Sequence, residues 1–171
     1  SFDFRVATPD LGSRAAAPLM EIFGQPFPKE LGWSGPISAD LSFKGTVEAL
    51  DVAANVDAAP ARIAFSDLFT KGAGLPFRAS LSFFSTPQSL MMREGRITMG
   101  QESFEAEAEL GKEPGGLLKL SASGSNIDAS VLKTFFPRLS FLESFEDMEL
   151  SLKASGDPHS AAPLGVMGTF K

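Results

Sequence analysis

Few side chains in the sequence are able to do chemistry. One histidine, His159, stands in Gly156-Asp157-Pro158-His159-Ser160, a run with turn composition. A histidine base needs a nucleophile and an orienting group around it. The sequence has neither a Gly-x-Ser-x-Gly elbow nor a Ser-x-x-Lys pair, so His159 reads as an exposed turn residue. Glu105, Glu107 and Glu109 alternate along one segment. Carboxylates at set separations carry out glycoside hydrolysis. These three, however, alternate with Phe104, Ala106, Ala108 and Leu110, and read as the wet face of a strand. Glu143, Glu146 and Asp147 lack the Asp-x-Asp-x-Asp-Gly run of a calcium loop. Gly72-Ala73-Gly74 has no following Lys-Ser/Thr pair and is not a phosphate loop. Met91, Met92 and Met99 are soft enough to hold a metal, but methionine more often fills core gaps. No catalytic residue, cofactor or metal is expected.

Composition points the same way. The 171 residues contain no cysteine, which excludes disulfides, thiolate metal sites and cysteine nucleophiles. The net charge of −6 lacks the basic footprint of a nucleic-acid binder. There are 16 Phe, one Trp and no Tyr. Phenylalanine brings apolar area without a polar handle, so greasy contact is expected in place of polar recognition. No apolar run reaches the ~20 residues of a spanning helix.

The elements are dominated by period two. Ile37, Ala39, Leu41 and Phe43 alternate with polar residues, and so do Leu50, Val52, Ala54 and Val56. The same holds for Phe77, Ala79, Leu81 and Phe83, and for Phe104 to Leu110. It holds again for Leu118, Leu120 and Ala122, and for Met148, Leu150, Leu152 and Ala154. Residues two apart share a strand face, which predicts an antiparallel sheet with one apolar and one wet side. Phe2/Phe4/Val6, Ala61/Ile63/Phe65, Ile97/Met99 and Val166/Gly168/Phe170 are weaker strands. Ala59-Pro60, Gly72-Ala73-Gly74, Glu94-Gly95 and Glu113-Pro114-Gly115-Gly116 read as turns between them.

Two stretches predict short helices. One starts at Thr8-Pro9-Asp10 and carries Leu11, Ala15, Leu19, Ile22 and Phe23 on one face. The other follows Ser125-Asn126, has Ile127, Val131, Leu132, Phe135 and Phe136 as its stripe, and stops at Pro137. Both lie between strands in matching frames, so residues 2–45 resemble residues 118–156 as a weak internal repeat. Strand-like alternation reaches both ends, and we expect residues 1–171 to be a single segment cut from a longer chain.

Three runs carry a resemblance. They are Phe2-Asp3-Phe4-Arg5-Val6-Ala7-Thr8-Pro9-Asp10-Leu11, then Phe23-Gly24-Gln25-Pro26-Phe27-Pro28, then Ala39-Asp40-Leu41-Ser42-Phe43-Lys44-Gly45. Asn55-Val56-Asp57-Ala58, Lys71-Gly72-Ala73-Gly74-Leu75-Pro76-Phe77 and the helix Asp128 to Pro137 add to it. In this order they resemble the AsmA-like family of bacterial envelope proteins, the AsmA/TamB/YhdP type. The resemblance implies a periplasmic β-rich body, anchored to the inner membrane by a segment not in this sequence. It implies a sheet curved into an elongated groove or taco with one apolar concave face. It implies a part in phospholipid transport between membranes and in outer-membrane homeostasis, with other envelope proteins as further partners. It carries no catalytic residues over.

The expected fold is therefore mainly β with two short helices. The expected groove lining is Ile37, Leu41, Phe43, Leu50, Val52, Val56, Phe77, Leu81, Phe83, Phe104, Leu118, Leu120, Leu150 and Leu152, and the expected ligand is phospholipid or another acyl-chain lipid. Apolar lining replaces water around a chain at about 0.8 kcal/mol per methylene. The competing expectation is a closed β-sandwich that acts as a scaffold or docking module of the envelope, with its apolar faces sealed on each other.

Overall fold

The computed structural model describes residues 1–10, 31–46, 48–113, 116–139, 148–156 and 165–170. The chain is mainly β. Its strands are β1 (Phe2–Thr8), β2 (Leu31–Ser34), β3 (Ser38–Gly45), β4 (Leu50–Asp57), β5 (Arg62–Phe65), β6 (Phe69–Lys71), β7 (Phe77–Ser85), β8 (Ser89–Met99), β9 (Glu102–Gly111), β10 (Leu118–Ile127), β11 (Met148–Gly156) and β12 (Gly165–Phe170). One helix is described, α1 (Ala129–Phe135), followed by a single 3-10 turn at Pro137–Leu139. Nine strands form one antiparallel sheet in the order β1-β3-β4-β7-β8-β9-β10-β11-β12, and β2, β5 and β6 form a small second sheet. The large sheet is not closed, since β1 and β12 occupy its two edges.

The predicted second helix is present. Asn126 takes a left-handed φ of 56° at the end of β10, and the Asp128 carboxylate then caps the helix by accepting from the Ser130 amide at 2.7 Å. The predicted first helix and the Phe23 to Pro28 motif lie outside the described residues, as do His159, Glu143, Glu146 and Asp147. Ala59-Pro60 and Gly72-Ala73-Gly74 are turns, as expected. Glu94-Gly95 is not a turn. Both residues lie inside β8, where the pairing shifts register between Met92 and Gly95. An extra residue is absorbed as a bulge and the strand continues.

The described insertions share one end of the sheet, although β8 and β9 also meet there in a tight turn at Gly100-Gln101. At the opposite end the strands are joined by tight turns, such as Thr86 N–H to Ser89 O at 2.8 Å and Thr46 N–H to Ala49 O at 2.8 Å. Gly45 enters the second of these at φ 141°, where a Cβ would lie 2.1 Å from the Ala49 carbonyl oxygen. At the other end the described insertions leave the sheet: β2 before β3, β5 and β6 between β4 and β7, and α1 between β10 and β11. The two frames read as a repeat also share a pairing scheme. Phe2 is opposite Gly45 in β1/β3, and Leu118 is opposite Gly156 in β10/β11.

Candidate functional site

Antiparallel partners share a face, so the register can be followed as rows across the sheet. One row runs Phe4, Phe43, Val52, Phe83, Met92, Ala108, Leu120, Ala154. The next row toward the insertion end runs Val6, Leu41, Ala54, Leu81, Gly95, Ala106, Ala122, Leu152. Beyond it lie Ala39, Val56, Ala79, Ile97 and Phe104, with Gly124 and Leu150 on β10 and β11 just before the register shifts between Gly124 and Ile127. Toward the tight turns lie Phe2, Leu50, Ser85, Leu90, Leu110 and Leu118. No charged residue is a member of these rows, although Lys112, just after β9, reaches the turn end, its Nζ donating to Ser85 Oγ at 2.7 Å and to the Thr86 carbonyl at 2.9 Å. Thirteen of the fourteen expected lining residues sit in or beside them on the large sheet; Ile37 precedes β3 by one residue.

The opposite face is ionic. Arg5 pairs with Asp40, its Nε donating to Oδ1 at 2.7 Å. Arg78 pairs with Asp57 at 3.0 Å, Arg93 with Asp51 at 3.4 Å, Arg96 with Glu105 at 3.4 Å and Lys119 with Glu109 at 3.1 Å. Arg93 also lies 4.1 Å over the Phe84 ring. Exposed pairs of this kind contribute about 0–1 kcal/mol each; their main consequence is to keep this face in water. Glu105, Glu107 and Glu109 are all exposed here, as the alternation predicts. Met91 and Met92 fall on opposite faces, and Met99 is buried among Phe104, Ile127 and Leu132, so the three do not gather around a metal. No cluster of three metal-ligating side chains exists among the described residues.

The apolar face has two environments. At the insertion end Met99, Phe104, Ile127, Ala129, Leu132, Phe135, Met148 and Leu150 form one buried cluster. Ile37, Ala58 and Ala61 form a second, with Trp33, Val56, Ile63 and Phe77 packed on it. Phe69 of the small sheet joins the pieces. Its ring centroid lies 5.8 Å from Phe77 of the large sheet, 6.0 Å from Phe135 and 5.5 Å from Phe136. Arg138 Nε, just after the helix, donates to Asp67 in the β5–β6 hairpin at 3.0 Å. Gly124 admits this packing, because a Cβ there would stand 2.9 Å from the Phe104 ring and 3.0 Å from Ile127. Toward the tight turns the same face is uncovered at its flanks. Phe4 is 49%, Val6 45%, Leu120 39% and Leu152 37% exposed, while Phe43 on β3 and Val52 on β4 are buried.

Lys71, buried at the end of β6, was not legible as a structural residue in the sequence. Its Nζ donates to the carbonyls of Ala59 at 2.9 Å, Ala61 at 2.6 Å and Gly72 at 3.0 Å. Burial lowers its pKa from the ordinary lysine value, opposed by the charge of Asp57. Asp57 accepts from the Ala59 amide at 2.9 Å, and its pKa is lowered first by that bond and then, against desolvation, by Arg78. Together they fix the loop from which the small sheet rises. The only sequence signal was a lysine closing the apolar run Leu68-Phe69-Thr70. Comparison with protein-family models, with curated proteins and with solved structures finds no match for the chain.

Among the described residues, no helix is long and apolar enough to cross a membrane. The arrangement offers apolar area without a polar constellation. It suits an apolar occupant held by burial alone.

Proposed function

We propose that this chain binds acyl chains of phospholipid along the apolar face of the nine-stranded sheet, on the half nearest the tight turns. The observation that carries the reading is an apolar face running from β1 to β11, bordered at the turn end by the Lys112 ammonium, with Phe4, Val6, Leu120 and Leu152 left substantially exposed on an open sheet. Exposed apolar area of this kind marks a binding surface in a water-borne domain. A fatty chain on it would be stabilised by about 0.8 kcal/mol per methylene removed from water. The role is binding without catalysis. The resemblance to the AsmA-like family extends the reading to a curved groove in a membrane-anchored periplasmic protein that passes lipid between membranes. The matching registers of β1/β3 and β10/β11 support a repeated unit within that groove.

The sealed end supports a second reading, a ligand-free docking module, because Ile127, Ala129, Leu132 and Phe135 are packed as in an ordinary core. Native mass spectrometry of the purified chain with phospholipid vesicles separates the two. Bound phospholipid that is lost in Leu120→Asp and Leu152→Asp supports the lipid reading. A chain that never retains lipid supports docking.

A further inference from the structure

Two lysines donate to uncharged oxygens, and they differ by one proton. Lys71 is fully buried and gives all three protons of its ammonium to carbonyls. Lys112 is half-buried and gives two, one to Ser85 Oγ and one to the Thr86 carbonyl. Among the described residues these are its acceptors, which leaves one proton to give. Arg5, Arg78, Arg93, Arg96 and Lys119 each face a carboxylate on the ionic side of the sheet. Among the described residues Lys112 faces none, and burial alone lowers its pKa from the ordinary lysine value.

The backbone sets where this ammonium stands. The Lys112 amide donates to the Gln88 carbonyl at 2.8 Å, which continues the β8/β9 ladder two residues past Leu110. Residues two apart share a face, so Lys112 lies on the apolar side. Its reach to Ser85 agrees, because Ser85 is the one hydroxyl in the row of Leu90, Leu110 and Leu118. The apolar surface starts beside it, with Leu110 and Leu118, and continues one row on to Leu120.

We propose that Lys112 is the headgroup anchor of this face, its ammonium binding the phosphate of a phospholipid whose acyl chains lie over Leu118 and Leu120. The proposal rests on the acyl-chain reading above and adds to it a direction and a selectivity. A phosphate oxygen accepts the remaining proton in a charge-assisted bond, at the border of an apolar surface where opposite charges attract more strongly than in open water. The bonds to Ser85 and Thr86 hold the ammonium in place before the lipid arrives, so little side-chain freedom is lost on binding. An uncharged lipid with the same chains would be held by its tails alone.

The test compares two soluble short-chain lipids on the 171-residue chain by isothermal titration calorimetry. Dioctanoylphosphatidylglycerol and dioctanoylglycerol share their tails and differ in the phosphate headgroup. The wild type should bind the phospholipid about tenfold more tightly. Lys112→Gln should bring the phospholipid to the affinity of the diacylglycerol, which itself should not change. Lys112→Arg should keep the preference. Circular dichroism checks that each variant is folded. On the wild type alone, the preference should shrink as sodium chloride is raised, so the test survives a variant that does not fold. Inorganic phosphate should bind far more weakly than the phospholipid, because the tails supply most of the affinity. A wild type that binds both lipids equally, a preference that salt does not reduce, or a folded Lys112→Gln that keeps the preference would overturn the anchor and leave the acyl-chain reading standing. Inorganic phosphate bound as tightly as the phospholipid, or a chain that binds neither lipid, would overturn both.

Discussion

The two ends of the apolar face follow one sequence rule and meet different fates. At the insertion end, Phe104 and Leu150 are buried beneath α1 and Phe69. One row toward the tight turns, Ala106 is still buried but Leu152 is exposed, and one row further Leu120 is exposed. Alternation is the same throughout; over β10 and β11 what differs is whether α1 packs on the row, while on β3 and β4 Phe43 and Val52 are buried even in the Leu120 row. Strand pattern alone therefore creates an apolar face, and the long connections decide how much of it is sealed. The sealed part serves as core, and the remainder stays exposed.

The contrast can be broken most strongly at Phe135. Phe135→Ala should cost about 3–5 kcal/mol, because a fully buried ring leaves a cavity under the helix. Leu120→Ala should cost about 0.5 kcal/mol or less, as a surface change. Parallel urea denaturation checks both, and equal costs would erase the distinction between the ends. Lys71→Ala comes next, at about 3 kcal/mol, since it strips a charged donor from three carbonyls. The loss should be visible as early amide exchange in β5 and β6 while β9 and β10 stay protected. Gly124→Val should cost about 1–3 kcal/mol by forcing Phe104 and Ile127 apart, measured by thermal unfolding.

Asp128→Ala follows, with a small loss of stability on thermal unfolding, because it removes the helix cap. Its pH dependence sharpens the assignment. The Asp128 and Asp57 pKa values are lowered, chiefly by the backbone amides of Ser130 and Ala59. Their stabilisation is complete above the ordinary carboxylate pKa and is lost as pH falls through the lowered folded values. The wild type should lose stability below about pH 4, and Asp128→Ala should lose less over that range.

Much of the large sheet was legible because a half-wet strand writes itself in period two. Phe104-Glu105-Ala106-Glu107 can be placed on its two faces by inspection, and the stop at Pro137 was equally readable, whereas the helix starts later than Ser125-Asn126 suggests, with Ile127 still in β10 and Asp128 as its cap. The small sheet was harder. Leu31-Gly32-Trp33-Ser34 and Phe69-Thr70-Lys71 are too short to show a period, and Lys71 breaks the rule that lysine faces water. Glu94-Gly95 has turn chemistry but sits in a bulge, because the pairing on both sides of β8 holds the strand straight. The expected lining residues were read as one class. Their division into sealed Phe104 and Leu150 and exposed Leu120 and Leu152 depends on where insertions land, a long-range fact that no local pattern carries.

The central claim is that the half of the face nearest the tight turns holds acyl chains. A photoreactive amino acid placed at Leu120 and at Leu152, with Leu132 as the sealed control, tests it on the purified chain with phospholipid vesicles. The account predicts lipid adducts at Leu120 and Leu152 and none at Leu132. Adducts absent from all three, or equal at all three, would contradict it.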